Sequence, residues 1–170
     1  SMISVVPASS AKTVYFYGEV DVDSCQKLLS ELLAFNEDAH PIHLRIQSFG
    51  GDLMPIFYVL DSIDSLSTPV WTFVDGYSAS AASLLSVYGE RRFMTKRSFV
   101  LIHELRTEAK GTFTEVDTDL SHSRELMQMV CDVYEMKTNM KRTEIMQLLA
   151  KDAWLNANKC LQLGIVDNII

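Results

Sequence analysis

Long apolar runs are missing from this chain. No stretch approaches the roughly 20 consecutive apolar residues of a membrane-crossing helix, and no basic-then-apolar leader opens the sequence. Basic clusters are missing too: the net charge is −7, and nothing exceeds the Arg91-Arg92 and Lys141-Arg142 pairs. That excludes the electrostatic footprint of a nucleic-acid binder. Paired cysteines are absent. Cys25, Cys131 and Cys160 are odd in number, far apart and set among apolar residues, which reads as reduced core thiols of a cytosol-like compartment. A cytoplasmic setting is therefore expected. A phosphate-binding loop is also lacking, because Lys110-Gly111-Thr112 has no first glycine at the required spacing. Metal ligands do not converge either, since Pro41 and strand alternation keep His40 and His43 apart. No cofactor and no metal are expected.

What is present is the composition of a globular protein, 48% hydrophobic and 22% charged over 170 residues. That length suits one domain with a real core. The reading is a loose arm over residues 1–11, which lack periodicity, and a single domain over 12–170. Strand and helix signals then alternate. Thr13 to Tyr17 reads as a strand, and an Asp23-capped helix follows with Leu28, Leu29, Leu32 and Leu33 as its stripe. Ile42 to Ile46 alternates as a strand does. After Ser48-Phe49-Gly50-Gly51, a helix opens at Asp52 with Pro55 in its first turn. Such alternation predicts an α/β fold of parallel strands with crossover helices, and a site at their carboxyl ends.

The chain is organised around residues 75–103. An apolar run from Val70 to Val74 arrives as a buried strand and is expected to break at Asp75-Gly76. The small residues Ser78-Ala79-Ser80-Ala81-Ala82-Ser83 then lead into a helix that Gly89 ends. Strand, glycine turn, serine, helix holds a nucleophilic hydroxyl at a helix N-terminus, where unpaired N–H groups face the atom attacked. A second apolar run, Phe99 to Ile102, delivers His103 to the end of a strand. Ser80 and His103 are thus the candidate nucleophile and general base of a serine peptidase. Ser78, in the turn, and Ser83, a turn inside the helix and bonding back to a carbonyl, are the decoys. A triad needs a carboxylate to orient the histidine; Asp152 is favoured, with Asp75 and Asp167 as competitors.

Beyond His103 the pattern changes. From a Thr114 cap one long helix is expected to about Met140, with two adjacent apolar stripes. At on the order of 40 Å it is longer than the domain needs, so it is expected to project and pack against another subunit. A shorter helix from Glu144 to Lys151, an Asn156-capped helix and a final strand over 165–170 complete the chain.

The motifs IQSFGG, GYSASA, VLIHE and KDAWLNA, in this order, resemble the ClpP (Clp protease proteolytic subunit) family of serine peptidases. The resemblance implies a ClpP/crotonase-like fold of repeated β-α units with a projecting handle helix. It implies Ser80 as nucleophile, His103 as base and Asp152 as orienting carboxylate. The oxyanion hole would be the backbone N–H groups of Gly51 and Ala81, with substrate added as a strand near Gly50 and Gly111. It further implies a homo-oligomer of stacked heptameric rings enclosing a chamber, cleaving unfolded polypeptides fed by a ring ATPase. The sequence departs from the family pattern at Phe49, where the family has proline, and at Glu104-Leu105 after the histidine. Ala150 and Lys151 replace residues that couple rings, and little chain precedes the first strand, so ATPase docking and stacking are expected to differ. Two other readings stay open: an idle ClpP-like ring or scaffold subunit, and a crotonase-type acyl-CoA enzyme. A virus or phage processing protease is a variant of the first reading.

Overall fold

The computed structural model describes residues 12–170; the arm expected over residues 1–11 lies outside the described residues. The order is β1 (Lys12–Tyr17), α1 (Val22–Ala34), β2 (Ile42–Ser48), α2 (Leu53–Ser65), β3 (Val70–Ala79), α3 (Ala81–Val87), β4 (Arg91–Met94) and β5 (Phe99–Ile102). Then come α4 (Phe113–Lys137), α5 (Arg142–Lys151), β6 (Ala153–Asn156), α6 (Ala157–Leu163) and β7 (Asn168–Ile169). The expected α/β fold is present. β1, β2, β3, β4 and β7 lie side by side, all parallel, while β5 pairs β3 in parallel and β6 antiparallel.

Period-two alternation builds two unlike faces. Ile42, Leu44 and Ile46 are wholly buried, and with Val14, Phe16, Val70 and Val74 they form a core with Leu28, Leu32, Ile56 and Leu60 of α1 and α2. The alternate positions carry aromatic and charged groups. His43 stacks on Trp71 at 5.5 Å, Phe73 stacks on Phe93 at 4.7 Å, and the Arg45 guanidinium sits 4.7 Å from the Phe73 ring centre.

β3 is the element that shapes the site. The break expected at Asp75-Gly76 does not occur: the strand runs on to Ala79, and Gly76, at φ +87°, is a kink inside it. Before the kink β3 pairs β4 (Trp71 to Val74), and after it pairs β5 (Tyr77 to Ala79). A glycine kink lets one strand serve two neighbours. Ser78 is consequently a fully buried strand residue bonded to Ser86 Oγ at 3.2 Å, not a turn residue.

Helix starts differ from the expected ones by two residues. Asp21 caps α1 in a box with Ser24, and Thr112 caps α4 in a box with Glu115, in place of Asp23 and Thr114. The cap is set by which side chain reaches the third N–H, and several acceptors compete over so short a stretch. Asn156 caps α6 as expected, but the last strand shrinks to two residues. α4 buries only Val130, Cys131, Val133 and Tyr134, in its last turns. Its earlier apolar positions stay exposed or half-exposed, with Phe113 87% exposed, so burial on two sides is not met within one subunit.

Candidate active site

Strand register assembles the site. Ala79 pairs Leu101, and the Ser80 N–H donates to the Leu101 carbonyl at 2.9 Å, so Ser80 leaves β3 beside the last residues of β5. Ile102 pairs Ala153 across the antiparallel ladder, so the next step outward sets His103 against Asp152. Three neighbouring strand ends therefore bring together Ser80, His103 and Asp152, which are distant in sequence. All three lie where ligands collect in open α/β sheets, beyond the carboxyl ends of the parallel strands or level with them.

Ser80 has φ +59° and ψ −128°, one of two non-glycine residues with positive φ among the described residues; Asp152, at φ +50°, is the other. A serine strained at a strand-to-helix turn is the elbow that exposes a nucleophile. Gly50, at φ +101°, lies so close behind it that a Cβ there would be 2.6 Å from both Ser80 Cβ and the Ala79 oxygen. Gly51 is bridged to Val20, where a Cβ would collide with the Val20 oxygen. These contacts hold the glycine segment against the elbow and leave no room for side chains. Among the described residues, no backbone carbonyl accepts from the N–H of Gly51 or of Ala81.

Ser80, Ala81, Gly51 and His103 line a cavity of about 380 Å³, otherwise walled mainly by apolar side chains including Leu53, Leu84 and Tyr134. Gly50 backs the serine, and Gly111 sits exposed just before the α4 cap, outside those walls. The imidazole is mostly covered, its side chain 16% exposed. Its Nδ1 bonds the Glu104 carbonyl at 2.8 Å, and the Asp152 carboxylate lies 3.9 Å away, 60% exposed. A carbonyl can only accept, so Nδ1 carries the proton and Nε2 is left free to receive one.

The competing carboxylates are engaged elsewhere. Asp75 takes two bonds from Arg45 at 2.8 and 2.6 Å and one from the Tyr17 hydroxyl at 2.6 Å. Burial, then that bond to Asp75, pushes the Tyr17 phenol up to about 12. Asp167 is held by the Arg92 side chain at 2.9 Å and by its N–H at 2.8 Å. The thiols are no rivals as nucleophiles: all three are buried, and burial pushes Cys25 to about 11 and Cys160 to about 12.

Sequence reasoning missed several contributors. Phe49 stacks on Tyr77 at 4.1 Å and meets Trp154 edge-on at 6.3 Å, forming an aromatic wall beside the cavity. In the sequence Tyr134 is one position of an apolar stripe of the long helix, with nothing to mark its hydroxyl. Its hydroxyl bonds Ser83 Oγ, which in turn donates to the Ser80 carbonyl at 2.6 Å, as expected of a serine one turn into a helix.

A strained serine and a free imidazole nitrogen beside unpaired main-chain donors define a class, the serine-type hydrolases. Known proteins narrow it. The Clp protease family model matches residues 4–170. ATP-dependent Clp protease proteolytic subunit 1 of Chlamydia pneumoniae is 34% identical, covering 94% of this chain and 87% of that protein. Its counterpart from Chlamydia muridarum is 32% identical (94% and 86%), and proteolytic subunit 2 of Treponema denticola 30% (94% and 82%). A mutant ClpP1 from Listeria monocytogenes superposes with a TM-score of 0.86 over 94% of this chain and 91% of that one; at 23% identity it bears on the fold alone. The chain belongs to the Clp protease family and is a serine-type peptidase.

Proposed function

We propose that the protein hydrolyses peptide bonds through Ser80, His103 and Asp152, within an oligomer that encloses the sites. Ser80 Oγ attacks the carbonyl carbon as its proton passes to His103 Nε2. The oxyanion is held by the N–H groups of Gly51 and Ala81. The imidazolium then gives its proton to the leaving amine, and water releases the acyl group by the same steps. One observation carries this reading: β3 and β5 end, and antiparallel β6 begins, side by side with those three residues just outside the strands, the serine at positive φ.

In the described subunit the Glu104 carbonyl holds Nδ1, and that neutral acceptor stabilises an imidazolium less than a carboxylate would. Full turnover requires the imidazole to move onto Asp152. The exposed apolar side chains of α4, Phe113 at its start and Met129 farther along, support contact with another subunit that supplies this adjustment. Relatives named as proteolytic subunits of an ATP-dependent protease support a separate ATPase as the source of unfolded chains. Extended substrate would lie along the Gly50-Gly51 segment, towards Gly111.

Ser80→Ala tests the reading. Turnover of a fluorogenic peptide should vanish while sedimentation stays that of the wild type; undiminished cleavage would end the proposal. Asp152→Ala should lower kcat by about 10²- to 10⁴-fold, whereas Asp167→Ala should leave the chemistry intact. The His103–Glu104 contact favours one second reading, a ring subunit that keeps the fold without turnover. Such a subunit would show no cleavage in any oligomeric state.

A further inference from the structure

We propose that Tyr134 is a positioning residue that strengthens the Ala81 oxyanion donor through Ser83; this rests on the peptidase reading above. Ser83 Oγ donates its single proton to the Ser80 carbonyl at 2.6 Å. The bond between Ser83 Oγ and the Tyr134 hydroxyl therefore runs the other way, with the phenol donating. The result is a directed chain: Tyr134 O–H to Ser83 O–H to the Ser80 carbonyl. That carbonyl also accepts the Ser83 N–H at 2.9 Å.

The Ser80 carbonyl and the Ala81 N–H belong to one peptide unit. Amide resonance couples the two ends: donors on the oxygen draw electron density from the nitrogen and make its N–H a better donor. The unit is trans, so an oxygen anchored into the protein points the N–H the opposite way. Ala81 is itself a wall of the cavity that holds Ser80 and His103. The chain thus fixes both the direction and the strength of a donor whose partner exists only in the transition state. Burial pushes the Tyr134 phenol well above its ordinary range, so it stays a donor throughout the working pH. Tyr134 lies near the end of α4, the one part of that helix built into the core, and its ring also walls the cavity. The long helix is in this way wired to the reacting centre by one hydroxyl.

Removal of a whole oxyanion donor lowers kcat by about 10²- to 10³-fold, and chain cooperativity contributes about 10–30% of a hydrogen bond. Taking that share of the logarithm predicts a loss of roughly two- to eight-fold. Tyr134→Phe, Ser83→Ala and the double variant are each assayed for kcat, KM, melting temperature and inhibition by a peptide boronic acid, whose adduct places a hydroxyl in the oxyanion site. Both single variants should lose kcat and boronate affinity with KM within about two-fold, Ser83→Ala by roughly two- to eight-fold because it removes the bond to the Ser80 carbonyl, Tyr134→Phe by at most about two-fold because it only weakens that bond. Ser83→Ala should also melt lower, because it orphans a buried phenol. In the double variant no orphan remains, so stability should recover while kcat stays down by the Ser83→Ala factor. If kcat recovers together with stability, or the two losses multiply, or KM alone changes, the inference is wrong. If Tyr134→Phe does not fold, Ser83→Ala and the double variant decide on the same terms. A wild-type protein that neither cleaves peptide nor forms the boronate adduct would instead sink the peptidase reading, and this inference with it.

Discussion

Gly50→Ala is the sharpest perturbation of the site's architecture. The new Cβ would stand 2.6 Å from the Ala79 oxygen and from Ser80 Cβ, and 3.2 Å from the Ala81 nitrogen, all on or next to the elbow. Opening 2.6 Å to an ordinary 3.4 Å contact moves the elbow by about 0.8 Å. Two penalties add. A side chain at φ +101° costs about 1–3 kcal/mol, and forcing a methyl into filled space costs about 1–3 kcal/mol. The expected loss is about 2–6 kcal/mol, against the roughly 5–15 kcal/mol of a typical domain. A displacement near 1 Å also lowers turnover by about 100-fold. Urea unfolding reads the first quantity and fluorogenic-peptide turnover the second. Gly18→Ala is the control, with φ +117° and nothing within 4 Å of its Cβ, so it carries only the backbone penalty and keeps its activity. Should Gly50→Ala match Gly18→Ala in both stability and turnover, the close-approach argument fails.

His43 is buried with its Nε2 unpaired, and burial, then the Arg45 charge, lowers its pKa. The unfolded chain then takes the proton more readily, so stability is full above about pH 6.5 and falls as pH drops through the folded pKa. His43→Phe should flatten that fall in urea midpoints measured between pH 5 and 7. At Asp167, burial acts to raise the pKa, but the Arg92 hydrogen bonds and charge outweigh it and hold the carboxyl below its ordinary value. Its contribution is complete above about pH 4 and lost in stronger acid, so Asp167→Asn should lessen the acid sensitivity of the melting temperature below that pH. Asp75→Ala strands the half-buried Arg45 guanidinium and should cost about 2–4 kcal/mol in urea unfolding, with per-site peptide turnover preserved.

Much of the fold could be read in the sequence because burial writes itself as periodicity. Ile42, Leu44 and Ile46 alternate, Pro55 marks a first turn, and Asn156 caps where its side chain predicts. The elements at the site were legible because backbone constraints restrict residue type: glycine where a Cβ would strike Val20 or Ser80, small residues around the elbow. What stayed hidden depends on tertiary neighbours. Gly76 reads as a stop, yet it is a kink that lets β3 change partners, and no local signal separates the two. Phe49 and Trp154 lie far apart in the chain and meet only through the β2–β3–β5–β6 pairing. Tyr134 is indistinguishable from a core residue until its hydroxyl is seen against Ser83. The Glu104 carbonyl could not have been foreseen as the acceptor for His103, because backbone groups carry no sequence signature.

The central claim is that Ser80 is a nucleophile activated by His103. Intact-mass measurement after exposure to a fluorophosphonate tests it most directly, on the protein in its assembled form. One adduct per chain, localised to Ser80, absent in Ser80→Ala and slowed at least about 100-fold in His103→Ala, is the result predicted. An unlabelled wild type, or an adduct that survives Ser80→Ala, would contradict it.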